Sequence, residues 1–364
     1  MASRRSFLAG MLAAGLMPRP TWAEAGGPVC LSAGMKRGGG FVLCGLDASG
    51  QITFEVPLPA RGHAAAAHPT AAEAVAFARR PGTFATVLDC ISGRETARLQ
   101  APPGRHFYGH GTFSADGELL FTTENDFEAA RGVVGVWHAR KGYARIGEYG
   151  SGGTGPHDIR LMPDGQSLVV ANGGIETHPD TGRTRLNIPT MRPNLTYLHP
   201  DGKILDRVEP GGELSKNSVR HLAVSGTGTV AFAMQWQGDL TADRPLLGIH
   251  DRTTGITGFL PGASVRRMHG YLGSVAITAD GGSVTVTSPR AGLVQNFRDG
   301  NLVSEVALQD VCGVAVSDAG FMLTCGTGLA KPASGVGLVH PIAWDNHLVP
   351  VPAVGAPIPY VSKT

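Results

Sequence analysis

Gly109-His110-Gly111-Thr112-Phe113-Ser114-Ala115-Asp116-Gly117 opens on a histidine, runs through a short strand-like stretch and closes on an Asp-Gly turn. The phrase recurs as Pro156-His157-Asp158-Ile159-Arg160-Leu161-Met162-Pro163-Asp164-Gly165. Arg220-His221-Leu222-Ala223-Val224-Ser225-Gly226-Thr227-Gly228 is a looser copy, and an earlier one begins at Arg61-Gly62-His63. Forty-seven residues separate His63 from His110, and 47 separate His110 from His157. That period, in a Gly-rich chain of short apolar runs, marks a β-propeller, with four antiparallel strands per blade.

Composition agrees. The chain has 364 residues with 52 Gly and 25 Pro, a density of turn formers that favours β structure over helix bundles. Hydrophobic residues make up 42%, enough for a packed core. Only 16% are charged and the formal net charge is +2, which argues against a nucleic-acid binder or an anionic-membrane binder.

Residues 1–25 read as a leader outside the fold. Ser3-Arg4-Arg5-Ser6-Phe7-Leu8 carries a twin arginine before an apolar pair, a weakly hydrophobic run extends from Leu8 to Met17, and Ala23-Glu24-Ala25 is an A-x-A cleavage site. This is the pattern of a twin-arginine export signal, so the remainder, 26–364, is expected as one propeller domain in the periplasm. The leader run is too short to span a bilayer, and no second run of about 20 apolar residues follows. Cys30, Cys44, Cys90, Cys312 and Cys325 form no C-x-x-C pair, which excludes a zinc ribbon and covalent haem. Cys30 with Cys44 and Cys312 with Cys325 are conceivable bridges, but each thiol sits in an apolar strand pattern and reads better as a small buried hydrophobe.

Along the chain, Val29–Ser32, Gly40–Leu46 and Ile52–Leu58 look like the outer strands of a blade whose inner strand lies elsewhere. Regular blades start at His63, His110, His157, His221, Gly273 and Cys312, the last with Gly337–His340 and His347–Val351 as its outer strands. With the N-terminal runs, seven blades result, at about 48 residues each. Six is the alternative, because the chain from Pro352 is Pro-rich and hard to assign.

In a blade the loop entering the inner strand and the loop from the second to the third strand share one face. His63, His110, His157 and His221 are therefore expected to ring one mouth of the central channel. Met268-His269 offers a fifth. Imidazoles converging there suit iron, copper or zinc; the competing reading is that they hydrogen-bond neighbouring blades. The second strands end on the same face, at Arg79-Arg80, Glu124-Asn125-Asp126, Asn172 and Gln235, and long insertions follow at 172–193 and 235–244. Arg80, Asn172, His178, Arg183 and Gln235 are candidate ligand-binding residues. Glu124 and Asp126 are weak candidates for general acid–base catalysis. There is no nucleophile elbow, P-loop or dinucleotide fingerprint, and so no nucleotide cofactor is expected.

Arg61-Gly62-His63, His106-Phe107-Tyr108-Gly109-His110-Gly111, Thr123-Glu124-Asn125-Asp126, Gly155-Pro156-His157, Val170-Ala171-Asn172-Gly173-Gly174-Ile175, Thr177-His178-Pro179 and Val219-Arg220-His221-Leu222 together resemble a bacterial family of unknown function, DUF1513. The resemblance spans nearly the whole chain after the leader. It implies a periplasmic propeller whose partners include imelysin-type iron-regulated proteins and a di-haem oxidoreductase-like protein, hence a role in iron acquisition. It brings no catalytic mechanism. The expectation is a periplasmic protein binding a metal or metal complex at a histidine-lined mouth, leaning away from enzyme activity. Alternatives are a metal-dependent, lactonase-like propeller hydrolase or a non-catalytic interaction scaffold.

Overall fold

The computed structural model describes residues 19–79 and 82–352. Seven four-stranded antiparallel sheets form the blades of a propeller, and no α-helix occurs among the described residues. Six blades follow the chain, spanning residues 62–100, 105–150, 156–208, 217–264, 274–307 and 311–339. The remaining blade is shared between the two ends. Cys30–Lys36, Phe41–Leu46 and Ile52–Leu58 are its outer strands, and Ile342–Pro350 is its inner one.

That closure corrects one strand assignment. The stretch 347–351 is not an outer strand of the last blade but part of the inner strand of the first. Ser32 pairs with Leu348, and Gly34 pairs with Trp344. The last blade is thin instead, with outer strands Leu329–Lys331 and Leu338–Val339. Gly and Pro interrupt the sequence between them, leaving little apolar pattern to read. Joining the ends in one sheet removes the two exposed edges that an open ring would leave.

The core lies between blades. Phe77 of one blade meets Phe107 of the next edge-on, with ring centroids 5.8 Å apart. Near the axis the space narrows, and the inner strand Gly62–Ala67 is accordingly Gly-His-Ala-Ala-Ala-Ala. Strands at the rim are mixed and largely exposed, as in Arg94–Gln100. All five cysteines are buried free thiols, and burial pushes Cys30 up to about 12. Trp22, read from sequence as leader, is buried against Phe54 and donates its indole N–H to the His68 carbonyl at 2.8 Å.

Gly34 tests the closure. A Cβ there would lie 2.3 Å from Ile342 Cγ2. Gly34→Val is expected to cost about 2 kcal/mol or more by overpacking the seam, seen as a lower urea midpoint. Gly258→Val, with nothing within 4 Å of the added Cβ, should leave the midpoint in place. Equal midpoints for the two variants would contradict the seam.

Candidate metal centre

Five inner strands lose their regular register at a histidine. In the strand Gly62–Ala67 pairing breaks between Gly62 and Ala65, around His63. It breaks between Phe107 and Gly111 around His110, between Pro156 and Asp158 at His157, and between Val219 and His221. In the closing strand, residues 345–347 together face only Ala33, and His347 lies among them. An extra residue in one strand bends it and re-aims a side chain. Here the five imidazoles converge on the axis.

His63, His110 and His347 sit with ring centroids 4.6–5.1 Å apart. His157 adjoins His110 at 5.1 Å and His221 at 4.7 Å, and His221 adjoins His347 at 4.8 Å. The cluster contains two sets of three whose ligand atoms all lie within 4.8 Å: His63, His110 and His347, and His110, His157 and His221. His110 belongs to both. Each ring has a buried nitrogen without a hydrogen-bond partner: Nδ1 of His63, His157 and His221, and Nε2 of His110 and His347. Gly109 permits the crowding. Its φ is +102°, and a Cβ would lie 2.4 Å from His63 Cδ2.

One carboxylate orients the cluster. Asp158 Oδ1 lies 3.2 Å from His110 Nδ1, which places the proton there and leaves the Nε2 lone pair free. Asp158 also accepts from the Ile159 N–H at 2.8 Å and the Leu222 N–H at 3.0 Å. Burial opposes its charge, but Arg160 and His110 outweigh that and hold it below the usual carboxylate range. Burial, reinforced by neighbouring imidazoles, lowers His63, His157 and His347 well below the ordinary histidine value, and lowers His221 to about 3. These four rings are therefore neutral at pH 7, the state in which imidazole binds metal.

The tier of imidazoles lies between two cavities. A cavity of about 400 Å³ is lined by Asp158, Arg160, His221, His347 and residues further along the inner strands. On the other side, His63, Arg79, His157, Arg220, His221 and Arg290 help to line a chamber of about 280 Å³. A neighbouring 280 Å³ chamber shares Tyr108, Arg183, Arg220, Gln235, Tyr271 and Arg290 with it and adds Arg185. The two chambers form one vestibule.

Of the residues singled out from sequence, His63, His110, His157 and His221 come together on the axis, and Arg183 and Gln235 line the vestibule. Arg80 lies outside the described residues. Asn172 is buried inside its blade, where its Nδ2 donates to the Ser151 carbonyl and to Asn194 Oδ1, both at 2.9 Å. His178 lies 3.4 Å from Glu128 and packs edge-on to Phe127. It is not among the lining residues of the vestibule, to which the same insertion contributes Arg183 and Arg185. Glu124 is fully buried and takes both Arg145 nitrogens, at 2.7 and 2.9 Å, while Asp126 pairs with Arg131 at 2.9 Å. His269 is not the fifth imidazole. It sits at a left-handed φ of +49°, with its Nδ1 3.2 Å from the Arg290 carbonyl. The fifth is His347, whose strand joins the ring only through pairing with residues some 300 positions earlier.

The family model "Protein of unknown function (DUF1513)" matches residues 56–351. Among solved structures, hydrazine synthase of Kuenenia stuttgartiensis is similar, with a TM-score of 0.61 at 13% identity, covering 86% of this chain and 96% of that one. At that identity the likeness is one of fold. No curated protein matches.

The lowered histidines predict a pH dependence with a definite sign. Below the unfolded value of about 6.5, the unfolded chain takes up protons that the folded one refuses. Metal-free protein should thus lose stability as pH falls from 7 toward 5, at a rate on the order of 1 kcal/mol per pH unit per histidine. Urea midpoints in chelator should fall steeply over that window, and less steeply for His221→Gln. A flat wild-type profile would contradict four buried neutral rings.

Proposed function

This chain belongs to the DUF1513 family of proteins of unknown function, and on that premise we propose that it binds a transition metal at its axial imidazoles in the periplasm and serves iron acquisition. One observation carries the reading: five imidazoles, four buried and His157 partly so, each present a buried ring nitrogen that no protein group satisfies. An orphaned buried polar atom costs about 1–3 kcal/mol, and a bound metal removes that cost for every ring it engages. His110, with either His63 and His347 or His157 and His221, supplies three nitrogen donors. All-imidazole donors suit copper, zinc and iron. When bound, such a metal supplies Lewis acidity or a redox couple. The chain contributes imidazole ligands and a carboxylate that fixes the His110 tautomer.

The Arg4-Arg5 leader supports export to the periplasm. No helix among the described residues is long and apolar enough to cross a membrane. The family resemblance supports iron as the metal, with imelysin-type and di-haem oxidoreductase-like proteins as partners. A hydrolase using Glu124 and Asp126 is less well supported, because arginines within the blade and at its rim engage both carboxylates. A pure scaffold has no use for unsatisfied imidazoles on its axis.

Elemental analysis of untagged protein from its native periplasm should find iron, copper or zinc near one equivalent. The His110→Ala, His157→Ala double variant should lose it. Asp158→Asn should keep the fold and bind the metal about 10–100-fold more weakly. Wild-type protein that arrives metal-free and takes up none on titration would sink the reading.

A further inference from the structure

The vestibule above the imidazoles is built for negative charge. Arg79, Arg183, Arg185, Arg220 and Arg290 line its two chambers, and no Asp or Glu does. Arg79 is held by Asp345, at 3.1 Å. Among the described residues, Arg183, Arg185 and Arg290 make no ion pair; Arg185 donates to Gln237 Oε1, and Arg290 lies over the Tyr271 ring at 4.3 Å. Tyr271 thus holds the Arg290 guanidinium in place before any ligand arrives. Arg183, Arg185 and Arg290, gathered in one recess without a carboxylate, repel one another and would also repel a divalent cation on the rings below. The buried carboxylate beside the vestibule, Asp345, is already shared by Arg79 and Arg61, and Asp158 lines the cavity on the far side of the tier, where His110, Arg160 and two backbone N–H groups engage it. For Arg183, Arg185 and Arg290, which have no carboxylate partner among the described residues, an anionic ligand would supply the charge balance.

We propose that the vestibule binds a multivalent carboxylate, and that metal reaches the imidazoles as the anionic complex of such a ligand. This deepens the metal-binding reading and rests on it for the second clause only. Guanidinium forks match carboxylate and phosphate oxygens in pairs. Two communicating chambers of about 280 Å³ each, with arginines distributed over both, suit several oxyanion groups on one small molecule better than a single one. Arg183 and Arg185 come from the long insertion after the strand Leu168–Asn172, and Arg290 follows the strand Ser283–Ser288, so two separate segments of the mouth would grip the ligand.

The test is calorimetric titration of metal-free protein with tricarballylate, a tricarboxylate that chelates metals weakly, and in parallel with inorganic phosphate. Tricarballylate should bind at least about tenfold more tightly than phosphate, and an Arg183→Ala, Arg290→Ala variant should weaken it by about tenfold or more. Raising salt from about 50 to about 500 mM should weaken it further. Both arginines are exposed, so the fold should survive, and zinc uptake by the variant serves as the check. Absent binding, equal binding by variant and wild type, or phosphate binding as tightly as tricarballylate would overturn the proposal. Zinc uptake and its loss in His110→Ala are read separately, so failure of the anion site and failure of the metal site are distinguishable.

Discussion

Five imidazoles packed within about a ring's width of each other, each with a buried nitrogen lacking a partner, are the constraint on which the structure turns. Orphaned buried polar atoms are rare because each forfeits solvation worth about 1–3 kcal/mol. Five in one place set this tier apart from the scattered ones elsewhere in the molecule. The neutrality of His63, His157, His221 and His347 at pH 7 follows from burial and from neighbouring imidazoles, since a proton on one ring disfavours a proton on the next. A bound cation would resolve both problems for the three rings of either set that it engaged.

The fold delivers this arrangement through closure. Seven blades bring their inner strands to one axis, and a local register break in five of them turns a histidine toward it. The blade at 311–339 has the same break but places Cys312 there, and its thiol lies near backbone carbonyls within the blades. The ring of imidazoles is therefore incomplete on that side. The fifth member exists only because the C-terminal strand returns to pair with Cys30–Lys36, so the seam that stabilises the disc also completes the site.

The repeat made much of this legible. A histidine at a 47-residue period aligned His63, His110 and His157, and a looser copy of the same phrase added His221, because matching places in successive repeats face the same axis. His347 escaped because no Asp-Gly turn follows it and its strand neighbours are distant in sequence. The arginine vestibule was visible only in part, as Arg183 in the insertion and Arg79 and Gln235 at second-strand ends, since Arg290 and Tyr271 come from loops without a shared phrase. Conversely, Glu124 and Asn172 stood out in conspicuous motifs yet are held by Arg145 and by Ser151 with Asn194. Polar residues at the end of a second strand serve the blade as readily as the channel, and spacing does not separate the two.

Electrostatics divides the axis into unlike halves, with a carboxylate-oriented tier above one cavity and a cationic recess on the other side. The imidazole tier is the part on which the proposed metal binding depends. An anomalous difference map from crystals of the metal-loaded protein, collected at the absorption edge of the bound metal, addresses it most directly. A single peak on the axis, about 2.0–2.1 Å from the nitrogens of three or more of the five histidines, with Nε2 as the His110 donor, is the predicted result. A channel without an anomalous peak, its imidazoles bonded to ordered water, would contradict it.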